Sequence, residues 1–140
     1  MTDNSGEAKR LNHPGLGEDI ERVGRIVVDA GLKVHRALGP GLLESAYEHC
    51  LGFELNARGV SVRRQAVLPI LYEGSKLDAG YRLDLLVEEK VIVEIKAIDA
   101  LTRVHEAQVL TYLKLSGCRL GFLMNFNVEL FKRGLKRLTY

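Results

Sequence analysis

The chain has few cysteines and none of the arrangements that indicate a disulfide framework or a zinc site. Only Cys50 and Cys118 are present, each within apolar sequence, with no CxxC motif and no Cys/His spacing of a metal site. We therefore expect two buried free thiols in a reducing compartment. A chain of 140 residues buries enough apolar surface to fold without a disulfide or a structural metal.

Long hydrophobic runs are also missing, and neither basic nor acidic residues are in large excess. The apolar stretches span a few residues each, and the polar start of the chain has no apolar signal core. We therefore expect a cytoplasmic protein with no membrane partner. The formal net charge of +2 permits nucleic-acid binding without arguing for it. The sequence has no phosphate-binding glycine-rich loop and no Ser/His/Asp order, which argues against several other enzyme classes.

The hydrophobic pattern predicts a single domain over residues 18–140, preceded by a disordered tail over residues 1–17. Apolar residues at three- and four-residue steps predict helices at about 20–38, 42–58 and 102–115. Extended segments are predicted at 60–71, 81–87, 91–97, 120–126 and, as a short edge strand, 130–138. The expected fold class is α/β, with a central mixed β-sheet flanked by helices in the order α-α-β-β-β-α-β plus a short C-terminal strand.

Charged residues interrupt two of these apolar strands. Glu94 and Lys96 share one face of their strand, because side chains alternate along extended chain. A three-residue loop before this strand pairs Asp84 with Glu94 across two antiparallel strands, and opposed residues project to the same face. Asp84, Glu94 and Lys96 are therefore expected to converge.

Two adjacent carboxylates repel each other, and a divalent cation removes that conflict. Mg²⁺ binds carboxylate oxygens and keeps waters that a phosphate can replace, so Asp84 and Glu94 are candidate ligands of Mg²⁺ or Mn²⁺. The Lys96 ammonium then neutralises charge on a scissile phosphate or orients the attacking water, as phosphodiester hydrolysis requires. The spacing fits an alternative equally well, with Glu94 and Lys96 as a solvent-exposed pair and Asp84 as a solubilising residue at a strand end.

Polar residues on two helices are further candidates. Gln108 and Tyr112 lie four residues apart on one helical face, with His105 three residues before Gln108, and such a row can meet phosphates or bases. In the competing interpretation, Tyr112 belongs to the core and Gln108 is solvated. Glu44 follows the Gly-Pro-Gly sequence at 39–41, where a carboxylate is either favoured by the helix dipole or serves as an extra metal ligand.

The chain resembles the GxxExxY family over about residues 20–138. Four motifs occur in that family's order: GLLESAY at 41–47, RLDLLV at 82–87, VEIKA at 93–97 and HEAQVLTYL at 105–113. The resemblance implies a PD-(D/E)XK nuclease-like fold, with Asp84 and Glu94 as metal ligands and Lys96 as the catalytic lysine. It also implies that Glu44 faces the same site.

Gln108 and Tyr112 are similar to the Gln-x-x-x-Tyr element of RecB-like nucleases, which assists DNA contact and active-site geometry. His35 lies in a place similar to a histidine that some of those nucleases use for metal, although a helix-surface position is the better expectation. The leading interpretation is a Mg²⁺- or Mn²⁺-dependent DNA nuclease of repair, recombination or mobile-element defence. The alternative is a non-catalytic nucleic-acid-binding or dimeric assembly module.

The nuclease interpretation carries two further expectations. A homodimer is one, because a double-strand cut needs two sites. The other is a cleft rimmed by basic residues. The candidates for that rim are Arg63, Arg64, Arg82, Arg103, Lys114, Lys132, Arg133, Lys136 and Arg137.

Overall fold

A computed structural model describes residues 15–140, and most of the predicted tail at 1–17 lies outside the described residues. The helices are α1 (Glu18–Leu38), α2 (Glu44–Ala57), α3 (Arg103–Ser116) and the single turn α4 (Phe131–Gly134). The strands are β1 (Val62–Val67), β2 (Ile70–Tyr72), β3 (Ser75–Leu77), β4 (Arg82–Val87), β5 (Val91–Lys96), β6 (Leu120–Asn125) and β7 (Leu135–Thr139). Among these elements no helix combines the length and the apolar character needed to cross a bilayer.

Five strands form a mixed central sheet in the order β1-β4-β5-β6-β7. β4 runs antiparallel to β1 and β5, whereas β5 and β6 are parallel and β7 closes the sheet as an antiparallel edge strand. Parallel neighbours need a crossover connection, which α3 provides between β5 and β6. The predicted α/β class, with a mixed sheet flanked by helices, is confirmed. β2 and β3 add a separate two-stranded hairpin.

Helices cover both faces of the sheet and create two cores. Side chains of α1 and α2 form the first core with strand residues such as Val93 and Phe122. Side chains of α3 form the second core with residues such as Ile92 and Leu123 on the opposite face. Such burial on both faces explains why β5 and β6 read as nearly continuous apolar runs. The free cysteines sit at the margins of these cores and are half-buried, not fully buried as expected.

Two segments differ from their predicted form. Residues 130–138 are not one strand, because α4 precedes the edge strand β7. Phe131 of α4 is 4% exposed and enters the first core, and Gly134 lies so close to the Asn125 carbonyl that a Cβ would come within 2.0 Å of its oxygen. The predicted extended segment at 60–71 is divided at Pro69, which has no backbone N–H to donate to a ladder. The end of this segment instead forms β2, which pairs with β3 as a hairpin.

Candidate active site

Asp84 and Glu94 meet where β4 and β5 stop pairing through their backbones. The antiparallel ladder is in the expected register and ends at the pair Leu85 and Val93. At the next position the side chains replace the backbone bonds. The Asp84 N–H donates to Glu94 Oε1 over 3.1 Å, and the Ile95 N–H donates to Asp84 Oδ2 over 2.8 Å. Carboxylate oxygens therefore occupy the gap between the strands, and both acids are held by backbone donors.

β4 loses its regular alternation at Asp84. Leu83 packs in the core under α3, whereas Leu85 packs in the core under α1 and α2, although regular alternation would place both on one face. Across from Asp84 on β1, Gln65 has a left-handed backbone with φ of 51°. The Gln65 amide donates to Asp84 Oδ1 over 3.3 Å and also to the Glu48 carboxylate. Gln65 and Glu48 thus help to hold Asp84, a role that no motif in the sequence indicated.

Glu94 is buried, with only 5% of its surface exposed, so the alternative of a solvent-exposed Glu94–Lys96 pair is wrong. Burial, followed by the negative charge of Asp84, raises the pKa of Glu94 from 4.5 to about 9. The Asp84 N–H and the Lys96 ammonium oppose this effect but do not overcome it. Without a cation, Glu94 therefore keeps its proton at neutral pH. Metal ions bind deprotonated ligands, so a divalent cation held by Asp84 and Glu94 would displace that proton.

Lys96 ends β5 two residues after Glu94 and is half-buried. Its ammonium forms no hydrogen bond or ion pair with any residue from 15 to 140. Neighbouring Asn125, which is 1% exposed, accepts the Ile98 N–H over 3.1 Å and donates to the Ile98 carbonyl over 2.9 Å. Asn125 thereby fixes the chain as it leaves Lys96. The only signal for this role in the sequence is one amide at the end of an apolar strand.

An open cleft of about 320 Å³ adjoins these strand ends. Its lining residues are Glu44, Ser45, Glu48, Gln65, Asp84 and Ile95. Glu44 begins α2, and its Oε2 accepts the Ala97 N–H over 3.4 Å. Within residues 15–140 no three His, Cys, Asp or Glu side chains form a group that could hold a metal ion, so Glu44 lines the cleft without completing such a set. Mg²⁺ needs only one or two carboxylates beside waters and phosphate, and the Asp84–Glu94 pair fits that requirement.

Comparison with known families gives one match. A sequence model of the PD-(D/E)XK nuclease superfamily matches residues 21–138, which include every candidate site residue and all the strands except the last residue of β7. The chain belongs to the PD-(D/E)XK nuclease superfamily. No curated protein and no solved structure matches it. Membership confirms the expected fold and supports a nuclease that acts on nucleic acid, while the narrower GxxExxY assignment stays a prediction.

In this PD-(D/E)XK chain the motif at 41–47 has a structural explanation. Gly41 has a positive φ of 101°, which suits glycine. Tyr47 is fully buried, and its hydroxyl donates to the Gly39 carbonyl over 2.6 Å and accepts the Leu42 N–H over 3.1 Å. Tyr47 therefore ties down the loop that places Glu44 at the cleft.

Gln108 and Tyr112 of α3 lie together at a second, smaller cavity. Tyr112 is 7% exposed and belongs to the core under α3, as the competing interpretation held. Burial, followed by the negative charge of Glu94, raises the pKa of the Tyr112 hydroxyl, which places this tyrosine within electrostatic reach of the carboxylates. Gln108 is half-buried and not fully solvated. The roles that the likeness to the Gln-x-x-x-Tyr element implies for Gln108 and Tyr112 stay a prediction.

Two histidines do not line the cleft and have structural roles instead. His105 Nδ1 accepts the Thr102 N–H over 2.9 Å and so completes the N-terminal cap of α3. The surface position expected for His35 is wrong, because Phe131 of α4 packs beside it with ring centroids 5.7 Å apart and leaves it 6% exposed. His35 Nε2 lies 2.7 Å from the Val128 carbonyl oxygen. A carbonyl only accepts, so this nitrogen carries the proton and cannot bind a metal.

None of the nine basic residues expected at the rim lines the cleft of the candidate site. Four of them form ion pairs: Arg63 with Glu89, Arg64 with Glu48, Arg82 with Asp78 and Arg137 with Glu21. The other five are exposed on α3, α4 and β7. The lining includes three acidic residues, Glu44, Glu48 and Asp84, and no basic one, and neither Lys96 nor Glu94 lines it.

Proposed function

We propose that the protein is a Mg²⁺- or Mn²⁺-dependent deoxyribonuclease that hydrolyses DNA phosphodiester bonds. Asp84 and Glu94 hold the cation and Lys96 acts on the phosphate. The observation that carries the proposal is the buried Glu94 carboxyl, whose pKa is raised to about 9 and which lies beside Asp84, a residue that lines an open cleft. Burying two acids together is unfavourable unless a proton or a cation lies between them. Superfamily membership supplies the reaction class. Repair, recombination or mobile-element defence is the biological setting that we propose for it.

When bound, the cation polarises the scissile phosphate and lowers the pKa of water. The Asp84 and Ile95 N–H groups hold the two carboxylates in orientation. Lys96, whose ammonium has no hydrogen-bond partner among the described residues, donates to a phosphate oxygen as negative charge builds up on it. It can also orient the attacking water toward phosphorus.

Three further residues have proposed roles around this centre. Glu44 lines the cleft at the start of α2 and serves as an additional carboxylate for the cation. Tyr112, which is close enough for the charge of Glu94 to affect its hydroxyl, supports the geometry of the carboxylates. Gln108 lies at the adjacent cavity and contacts the nucleic acid.

The test compares wild type with Glu94→Gln and Lys96→Ala on single- and double-stranded DNA, in Mg²⁺, in Mn²⁺ and in EDTA. Lys90→Ala is the matched control, because Lys90 is an exposed lysine in the turn between the same two strands. We expect cleavage that needs a divalent cation, falls at least about 100-fold in both site variants and is unchanged in the control.

Cleavage that survives both site substitutions would contradict the proposal and indicate a contaminant. Folded protein that binds DNA and never cleaves it would favour the alternative, a nucleic-acid-binding module that keeps the nuclease fold. In that case Lys96→Ala should show no loss of function, measured by comparing its DNA binding with that of wild type.

A further inference from the structure

A small cavity lies between α3 and the segment that leads into β4. It encloses about 200 Å³ and has the lining residues Ile70, Tyr81, Gln108, Thr111, Tyr112 and Leu115. This set combines two aliphatic side chains and two tyrosine rings with the Gln108 amide and the Thr111 hydroxyl. The volume is below the range of about 300–1,000 Å³ typical of sites for drug-sized ligands. The cavity therefore suits a single planar ring with polar edges.

Tyr81 is the exposed aromatic wall of this cavity. Its side chain is 44% exposed, and its ring packs edge-on against Tyr112 with centroids 6.2 Å apart and an interplanar angle of 64°. The Tyr81 carbonyl accepts the Leu68 N–H over 3.0 Å and an Arg82 guanidinium N–H over 2.9 Å. The backbone at this position is thus fixed, while much of the ring faces solvent. An exposed but well-held ring is suited to stacking.

The segment that leads into β4 connects this cavity to the candidate active site. Tyr112 forms one wall of the cavity, and the ring of Tyr81 packs against it. Tyr81 precedes Asp84 by three residues, about 10 Å of extended chain at the usual strand rise. A nucleotide whose phosphate lies at Asp84 can therefore place a neighbouring base at Tyr81.

We propose that the cavity beside Tyr81 binds one unpaired nucleobase next to the scissile phosphate, an inference that rests on the proposed nuclease function. Stacking on an aromatic ring accepts any base, because every base has a π-face. The Gln108 amide and the Thr111 hydroxyl can hydrogen-bond to a base edge. A base inside a duplex stays stacked on its neighbours and cannot enter the cavity. The substrate is therefore single-stranded or locally opened DNA.

A fluorescence experiment tests the stacking directly. The chain contains no tryptophan, so Tyr81→Trp introduces a single reporter at the cavity. Tyr72→Trp is the matched control, because Tyr72 is 64% exposed on the β2–β3 hairpin and is not part of the lining. In EDTA, which prevents cleavage, a single-stranded oligonucleotide should quench the reporter at 81 and leave the one at 72 unchanged. An abasic oligonucleotide of equal length should quench neither.

Binding measurements in the same buffer test the energetic role. Tyr81→Ala should weaken single-stranded DNA binding by about 5- to 100-fold, whereas Tyr81→Phe keeps the ring and should bind as wild type does. Tyr72→Ala should also bind as wild type does. Circular dichroism and thermal melting confirm that each variant is folded.

The inference is overturned if Tyr81→Ala binds single-stranded DNA as tightly as wild type, if the abasic oligonucleotide quenches as strongly as the normal one, or if no single strand binds at all. Its failure can be separated from failure of the proposed function. Cleavage in Mg²⁺ with an unchanged KM in Tyr81→Ala would refute the base site and leave the nuclease intact. Base-dependent quenching without cleavage would refute the nuclease and leave the base site intact.

Discussion

Glu94→Gln is expected to stabilise the metal-free protein at neutral pH, which is unusual for a substitution in the core. Glutamine has nearly the shape of protonated glutamic acid. Its carbonyl can accept the Asp84 N–H that Glu94 Oε1 accepts in wild type, and its amide N–H can donate to the Asp84 carboxylate. The variant therefore reproduces the neutral form of Glu94 and removes its titration.

The magnitude follows from the pKa of Glu94, which is raised from 4.5 to about 9 by burial and by Asp84. Above pH 4.5 the unfolded chain releases this proton while the folded protein keeps it, so the unfolded state binds fewer protons. The free energy of unfolding consequently falls as the pH rises from 4.5 to 9. From pH 4.5 to pH 7 the loss is about 3 kcal/mol, at about 1.36 kcal/mol per pH unit. Glutamine does not titrate, so the free energy of unfolding of the Glu94→Gln variant shows no such loss.

Urea denaturation in EDTA at pH 5 and pH 7 measures the predicted difference in stability between wild type and Glu94→Gln. The variant should be more stable than wild type by less than about 1 kcal/mol at pH 5 and by about 3 kcal/mol at pH 7. Added Mg²⁺ should stabilise wild type at pH 7 and not the variant, because a ligand that binds the folded state raises its stability. Glu129→Gln, at an exposed position, is the control and should show no such pH dependence. A difference between wild type and Glu94→Gln that is the same at both pH values would refute the reasoning.

Two other substitutions test how the site is supported, each read from urea denaturation. Tyr47→Phe keeps the ring but removes the hydroxyl bond to the Gly39 carbonyl, so we expect a loss of about 1–2 kcal/mol; no loss would mean that water replaces the hydroxyl. Gly134→Ala puts a Cβ 2.0 Å from the Asn125 carbonyl oxygen, so we expect a loss of about 3 kcal/mol, whereas Gly15→Ala, with open space around it, should cost little. Equal stability of the two alanine variants would contradict that packing.

The sequence by itself determined most of the elements and the opposition of the main acid pair. Local periodicity reports which side of a helix or strand is buried, and a three-residue loop leaves little freedom in the register of a hairpin. The expected opposition of Asp84 and Glu94 follows from that register and agrees with the ladder that ends at Leu85 and Val93. Whether Glu94 was buried or exposed could not be read from alternation, because both faces of this sheet are covered by helices.

Only the tertiary structure decided what surrounds the acids. Gln65 reaches Asp84 from a strand 19 residues earlier in the chain, and Asn125 holds the chain after Lys96 from 27 residues later. His35 is buried because α4, almost a hundred residues away in sequence, folds against it. Such contacts join segments whose separation leaves no periodic trace in the sequence. The chemistry of the pair was therefore visible in local pattern, whereas its protonation and support depend on long-range packing.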